Sequence, residues 1–137
     1  MPIYSESFAA AFGLLASSDS DLMEILLLSI NVSLASLVLS CVIGLPIGAF
    51  LAMRHFPMRD FLVGVFNAMM GLPPVVVGLL VYLHLSRSGP FGWLGLLYTP
   101  QAMVIAQMIL ITPIIIALSC QVLDCLLYTS PSPRDVR

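Results

Sequence analysis

Three long stretches without a charged residue constrain this chain more than anything else in its sequence. They are Ile25–Met53, Phe61–Ser86 and Ser88–Leu123. A helix needs roughly 20 apolar residues to cross a bilayer core at about 1.5 Å rise per residue. Each stretch is long enough for one crossing. The seven acids and five basic residues of the 137-residue chain fall between and beyond them. With 9% charged and 60% apolar residues, the chain cannot clothe a water-soluble domain, which usually carries about 25% charge. The third stretch opens with Gly and Pro, so its span is nearer 101–123. The expectation is an all-α, polytopic membrane protein with helices at about 22–53, 61–85 and 101–123. Residues 1–21 precede them as an extracytoplasmic N-terminal segment.

The loop Arg54–Asp60 carries two Arg, the loop Ser86–Pro100 one, and the N-terminal segment none. Basic residues in short loops mark the cytoplasmic side, which puts the first loop inside and the N-terminus outside. The N-terminal segment lacks the basic start of a signal peptide. Phe8, Phe12 and Leu15 share one helical face there, as in a short interfacial helix. A partly ordered leader without a role fits the same residues. Asp21 and Glu24 are spaced as N-cap and N3 of the first span.

Within the first span, Ser29, Ser33, Ser36, Ser40, Gly44 and Gly48 recur every three or four residues, and Pro46 supplies a kink. Such a stripe lets helices approach closely in lipid, though its hydroxyls could instead line a polar pathway. The second span contains Asn67 and then Gly71-Leu72-Pro73-Pro74. Two consecutive Pro remove two N–H donors, so the helix must break near mid-membrane. Pro74 can restart it as the first helical residue. That would point a helix N-terminus toward the protein interior, an arrangement that attracts anions. A packing kink is the plainer alternative. Phe91, Trp93 and Tyr98 suit a headgroup-level outer loop, and Thr99-Pro100 reads as N-cap and N1 of the third span. Gln107 in that span should face other helices.

The classes excluded are as informative. No base, nucleophile and orienting group can be assembled in one pocket, so no catalytic residues are expected. Three Cys without metal-type spacing give no metal site and no disulfide framework, and Cys41 and Cys120 read as small packers. There is no phosphate-binding loop and no implied cofactor. Net charge −2 argues against nucleic acid as a partner.

The run NAMMGLPPVVVGLLVYLHLSRSGPFGWLG, Asn67–Gly95, resembles permease subunits of oxyanion-importing ABC transporters, tungstate permeases first and molybdate permeases next. LLLSINVSLASLVLSCVIGLPIGAFLAMRHFP and TPQAMVIAQMILITPIIIALS resemble the flanking helices of the same family, with more generic motifs. The resemblance implies a homodimer of permease subunits in the prokaryotic cytoplasmic membrane. It also implies an ATP-binding subunit inside, a substrate-binding protein outside, and lipid around the helices. Oxyanion import by alternating access would follow, with Asn67, Gly71, Pro73, Pro74 and Gln107 as pathway candidates. Sulfate or another solute, or a small three-helix structural protein, are the alternatives. After Leu123 the resemblance stops. The tail 124–137 resembles read-through of a sequencing adapter, and the expectation is a non-native or disordered end on a permease truncated before its coupling helix.

Overall fold

The computed structural model describes residues 2–129. Five α-helices make the fold: α1 Pro2–Ala16, α2 Ser20–Met53, α3 Arg59–Met70, α4 Pro74–Leu85 and α5 Pro100–Thr129. A single 3₁₀ turn, Gly92–Leu94, lies between α4 and α5. Among the described residues, only α2 and α5 are long and apolar enough to cross a membrane alone. At about 1.5 Å per residue they measure roughly 51 and 45 Å, more than the roughly 30 Å bilayer core. Both must tilt or project beyond the hydrocarbon.

The expected second span is not one helix. α3 and α4 meet at 98° across Gly71–Pro73. The cause is local. Pro73 and Pro74 offer no N–H to the last carbonyls of α3, which instead end in a tight turn. The Gly71 N–H donates to Ala68 O and the Leu72 N–H to Met69 O, both at 3.1 Å. Pro73 is extended (φ −63°, ψ 134°) and Pro74 is the first residue of α4.

α2 packs most extensively on α5, and the two run parallel. A Cβ on Gly44 would meet Ile115 and the Thr112 carbonyl, while one on Gly48 would meet Ser119 and Ile116. Four residues forward on α2 are four residues forward on α5. Two parallel crossings require a return crossing between them. α3 and α4 supply it, because α3 lies against the C-terminal part of α5 and α4 against its N-terminal half. The bent pair is therefore one broken crossing and not a loop returning to its own side. Two helices, or three spans with the bent pair as one, are long and apolar enough to cross, in line with the three charge-free stretches.

The buried face of α2 is Val32, Ser36, Ser40, Gly44, Gly48, Leu51 and Ala52. This is a row at four-residue spacing, the ridge along which helices interlock. Ser29 and Ser33 of the predicted stripe are exposed and do not join it. A spacing of three from Ser33 to Ser36 turns the stripe off the ridge, and that step places them on another face. Ser36 satisfies itself by donating to Val32 O at 2.6 Å.

Two boundaries differ from expectation. α2 begins at Ser20, with Asp19 at the N-cap making no side-chain capping bond, so Asp21 is inside the first turn. The left-handed Ser18 (φ 47°) ends α1 and starts α2 earlier than the Asp21–Glu24 spacing suggests. α5 continues past residue 123 to Thr129. Nothing in Asp124–Thr129 breaks a helix, and Pro131 is the first residue that would. The remainder of the expected non-native tail, 130–137, lies outside the described residues. At the other end of α5, Thr99 is the predicted cap, accepting from the Ala102 N–H at 3.4 Å.

The loop from α4 to α5 folds back over the end of α4. The Phe91 N–H donates to His84 O at 3.1 Å. Gly89 and Gly92 are required here, because a Cβ on either would collide with backbone of Leu83–Arg87. Trp93 and Tyr98 point outward and are 80% and 85% exposed, as headgroup-level aromatics would be.

Candidate functional site

The bend between α3 and α4 gathers four of the five pathway candidates. Gly71, Pro73 and Pro74 form it, and Asn67 stands one turn before it on α3. Asn67 Oδ1 accepts a hydrogen bond from Gln121 Nε2 at 3.2 Å. This link ties α3 to α5. Gln107 is not part of the group. It lies half-buried on α5, with Oε1 out of solvent and lacking a partner among the described residues.

The double Pro leads one to expect a helix N-terminus facing the interior, and among the described residues nothing covers the bend. Residues Gly71–Val76 are all exposed on this chain. Three crossings, two of them packed along one seam, leave the outer side of the broken one uncovered. The α4 N-terminus is also less open to an anion than the two Pro imply. The N–H groups of Val76 and Val77 both turn back to the Pro73 carbonyl, at 3.0 and 3.4 Å. Val75 supplies the first backbone N–H of α4 beyond the prolines.

Behind the bend lies a cavity of about 470 Å³ between α4, the following loop and α5. Its walls include Met69, Leu72, Val77, Leu85, Phe91 and Ile109. His84 is the one lining residue with a polar ring, and its Nδ1 is 2.7 Å from the Leu80 carbonyl. A desolvated oxyanion needs hydrogen-bond donors in place of its water. This apolar cavity offers none in number, so it is not an anion site. The polar chemistry of the bend lies on its exposed side.

The end of the bundle where α2 stops and α3 begins holds a junction that sequence reasoning missed. Arg59 Nε donates to the Leu51 carbonyl in the last turn of α2 at 2.7 Å. Arg59 Nη2 donates to both carboxylate oxygens of Asp124 on α5, at 2.8 and 2.6 Å. One guanidinium at the start of α3 thus joins the ends of α2 and α5. It lies over the core formed by Leu51, Ala52 and Cys120. A cation at a helix C-terminus also meets the partial negative charge of its free carbonyls. In sequence Arg59 read only as a loop charge and Asp124 only as the start of the expected tail, since the two lie 65 positions apart. Among the described residues no three His, Cys, Asp or Glu are grouped to hold a metal ion.

Three curated proteins align with most of the chain. The tungstate uptake system permease of Peptoclostridium acidaminophilum is 38% identical over 119 residues, 87% of this chain. A probable anion ABC transporter permease of Haloferax volcanii is 40% identical over 116 residues, 85% of this chain. The tungstate uptake system permease of Campylobacter jejuni is 33% identical over 119 residues, again 87%. The chain is a homologue of ABC transporter permeases. It spans about half the length of these relatives, 52%, 47% and 50% respectively. No protein-family model matches it, and no solved structure does. The all-helical, multi-pass architecture of this permease homologue agrees with the relationship.

Proposed function

We propose that this permease homologue contributes membrane helices to an ABC importer that moves an oxyanion, tungstate, into the cell. The observation that carries the reading is its likeness, over 87% of its length, to two permeases named for tungstate uptake. The transported ion would cross between two copies of the permease. A separate ATP-binding subunit would drive the switch between outward and inward openings, and a binding protein would deliver the ion. The permease itself needs no catalytic residue in this scheme. Its N-terminus lies outside, in keeping with the Arg-bearing loop before α3 and the absence of Arg before α2.

The physical chemistry of the bend supports an anion over a cation. A cation pathway needs acidic or carbonyl rings at membrane depth. No acid lies within Ile25–Met53, Phe61–Ser86 or Ser88–Leu123. A neutral pathway with amide donors such as Asn67, and with the N-terminal end of α4, holds a divalent oxyanion weakly and releases it. Selection then falls to the binding protein. Titration calorimetry of the binding protein encoded beside the full-length permease tests the substrate. Tungstate is expected to bind more tightly than molybdate and sulfate, and tighter molybdate or sulfate overturns the assignment. The relative from Haloferax volcanii, named only as an anion permease, keeps molybdate as the second reading.

The bend itself has a direct test. Replacing Pro73 and Pro74 together by Ala restores two N–H donors and lets α3 run into α4. Uptake by membrane vesicles carrying the whole transporter is expected to fall while insertion is unchanged. Undiminished uptake makes the bend a packing feature only.

A further inference from the structure

We propose that the bundle hinges about one proline level, where α2, the α3–α4 pair and α5 all lose backbone hydrogen bonds. The hinge divides it into two bodies. One consists of α4 with the parts of α2 before Pro46 and of α5 before Pro113. The other consists of α3 with the parts of α2 and α5 that follow those prolines. The inference goes beyond the proposed function and stands whatever solute is carried.

The prolines align across the helices. Pro46 lies inside α2 and Pro113 inside α5. Each lacks the N–H that a helix donates four residues back, to Val42 O and Ile109 O respectively. A helix bends most readily where that bond is missing. Pro46 lies midway between Gly44 and Gly48, the two closest points of the α2–α5 seam. Pro113 lies between Thr112 and Ile115, the two residues that Gly44 faces. The two prolines are thus within about one helical turn of each other along the seam. The third break falls in the same stretch. Asn67, just before it, is bonded to Gln121 of α5. Met69 and Leu72 share a cavity with Ile109 of α5. Pro113 lies between Ile109 and Gln121, so the Pro73-Pro74 break stands beside it.

The two bodies are held differently. The α3 body is clamped by Arg59, which bonds the Leu51 carbonyl and Asp124, and by the Asn67–Gln121 link. It also contains the buried cluster of Leu51, Ala52 and Cys120, against which Leu62, Val63 and Phe66 of α3 pack. The α4 body borders the 470 Å³ cavity. Ser40 Oγ and Gln107 Oε1 both lie in it, out of solvent and without a partner among the described residues. An unmade buried hydrogen bond raises the energy of the arrangement that contains it, so the α4 body is the one that gains by shifting.

Close backbone approach makes the hinge a shared one. A Cβ on Gly48 would meet the Ile116 carbonyl at 2.9 Å, so the α2 backbone lies directly on that of α5. Neither helix can bend here without carrying the other. α4 packs on the N-terminal half of α5 and follows it.

Double electron–electron resonance on the full chain in lipid nanodiscs tests the proposal. Cys41, Cys120 and Cys125 are first replaced by Ala. Spin labels are then attached in pairs at Phe61→Cys, Leu83→Cys, Met103→Cys and Val122→Cys, all exposed sites. The pairs 61–83 and 61–103 span the two bodies. The pair 83–103 lies within the α4 body, and 61–122 lies within the α3 body. Both spanning pairs are expected to give broad or double distance distributions, and both internal pairs narrow ones. Pro113→Ala, which restores a donor to Ile109 O, is expected to narrow the 61–83 distribution although neither label is on α5. Pro46→Ala is a second variant with the same expected effect. Three results overturn the proposal. Spanning pairs as narrow as the internal ones mean that the bundle is rigid. Internal pairs as broad as the spanning ones mean that the helices move singly. A 61–83 distribution unchanged by both substitutions means that the α3–α4 bend flexes alone.

Discussion

Replacing Gly48 by Ala is expected to destabilise the helical core by about 1–3 kcal/mol, the cost of overpacking a tight contact. The larger Gly48→Leu is expected to separate α2 from α5. The reason is the identity of the neighbours. A Cβ at Gly48 would sit 2.7 Å from Ser119 Cβ and 2.9 Å from the Ile116 carbonyl oxygen. The carbonyl is backbone inside a helix and cannot step aside. At Gly44 the nearest atom is Ile115 Cγ2, at 2.8 Å, the end of a side chain that can change rotamer. Gly44→Ala should therefore cost less. Gly78 in α4 has nothing within 4 Å, and Gly78→Ala should be neutral or stabilising by up to about 1 kcal/mol, the difference in helix propensity. Unfolding in mixed detergent and dodecyl sulfate, followed by circular dichroism, ranks the three. Equal effects at Gly48 and Gly78 would show that α2 and α5 are not joined through this seam.

Arg59→Met is expected to carry the second large effect, about 1–3 kcal/mol by the same measurement. That range is for hydrogen bonds involving charged groups, reduced for partial exposure. The Arg59 side chain is 17% exposed and its partner Asp124 is 31% exposed, so the solvent screens the pair only in part. Arg59→Lys should not restore it, because one ammonium cannot reach both the Leu51 carbonyl and the Asp124 carboxylate as the planar guanidinium does. Asp124→Asn should cost less than Arg59→Met, since the bond to Leu51 survives. The double change Arg59→Met with Asp124→Leu should recover part of the loss by leaving no unpaired charge. The comparison also bears on the expected boundary at residue 124. A silent Asp124→Asn beside a costly Arg59→Met would separate Asp124 from the native packing, and matching non-additive losses would join it.

Much of the architecture was readable one segment at a time. Charge-free length gave three candidate crossings, because hydrocarbon thickness sets a fixed residue count. Pro73-Pro74 gave the break, because two missing N–H groups end a helix wherever they occur. Thr99-Pro100 gave the start of α5 for the same local reason. The small-residue stripe was half readable. Ser36, Ser40, Gly44 and Gly48 are buried, but Ser29 and Ser33 are not. Residue size alone does not say which face meets a partner.

The sequence by itself determined that this chain is helical, is built for a membrane, offers three charge-free stretches of crossing length and breaks the middle one. Each of these follows from counting apolar residues, charges and backbone donors along a single helix. Only the tertiary structure decided that the break turns through 98°, that α2 and α5 run parallel, that Asn67 is tied to Gln121, and that Arg59 joins the ends of three helices. The last three are contacts between residues up to 71 positions apart, as Gly48 is from Ser119. In lipid, apolar side chains gain little by choosing one neighbour over another, so the arrangement rests on close packing and a few polar links. Neither can be located until the helices are set side by side.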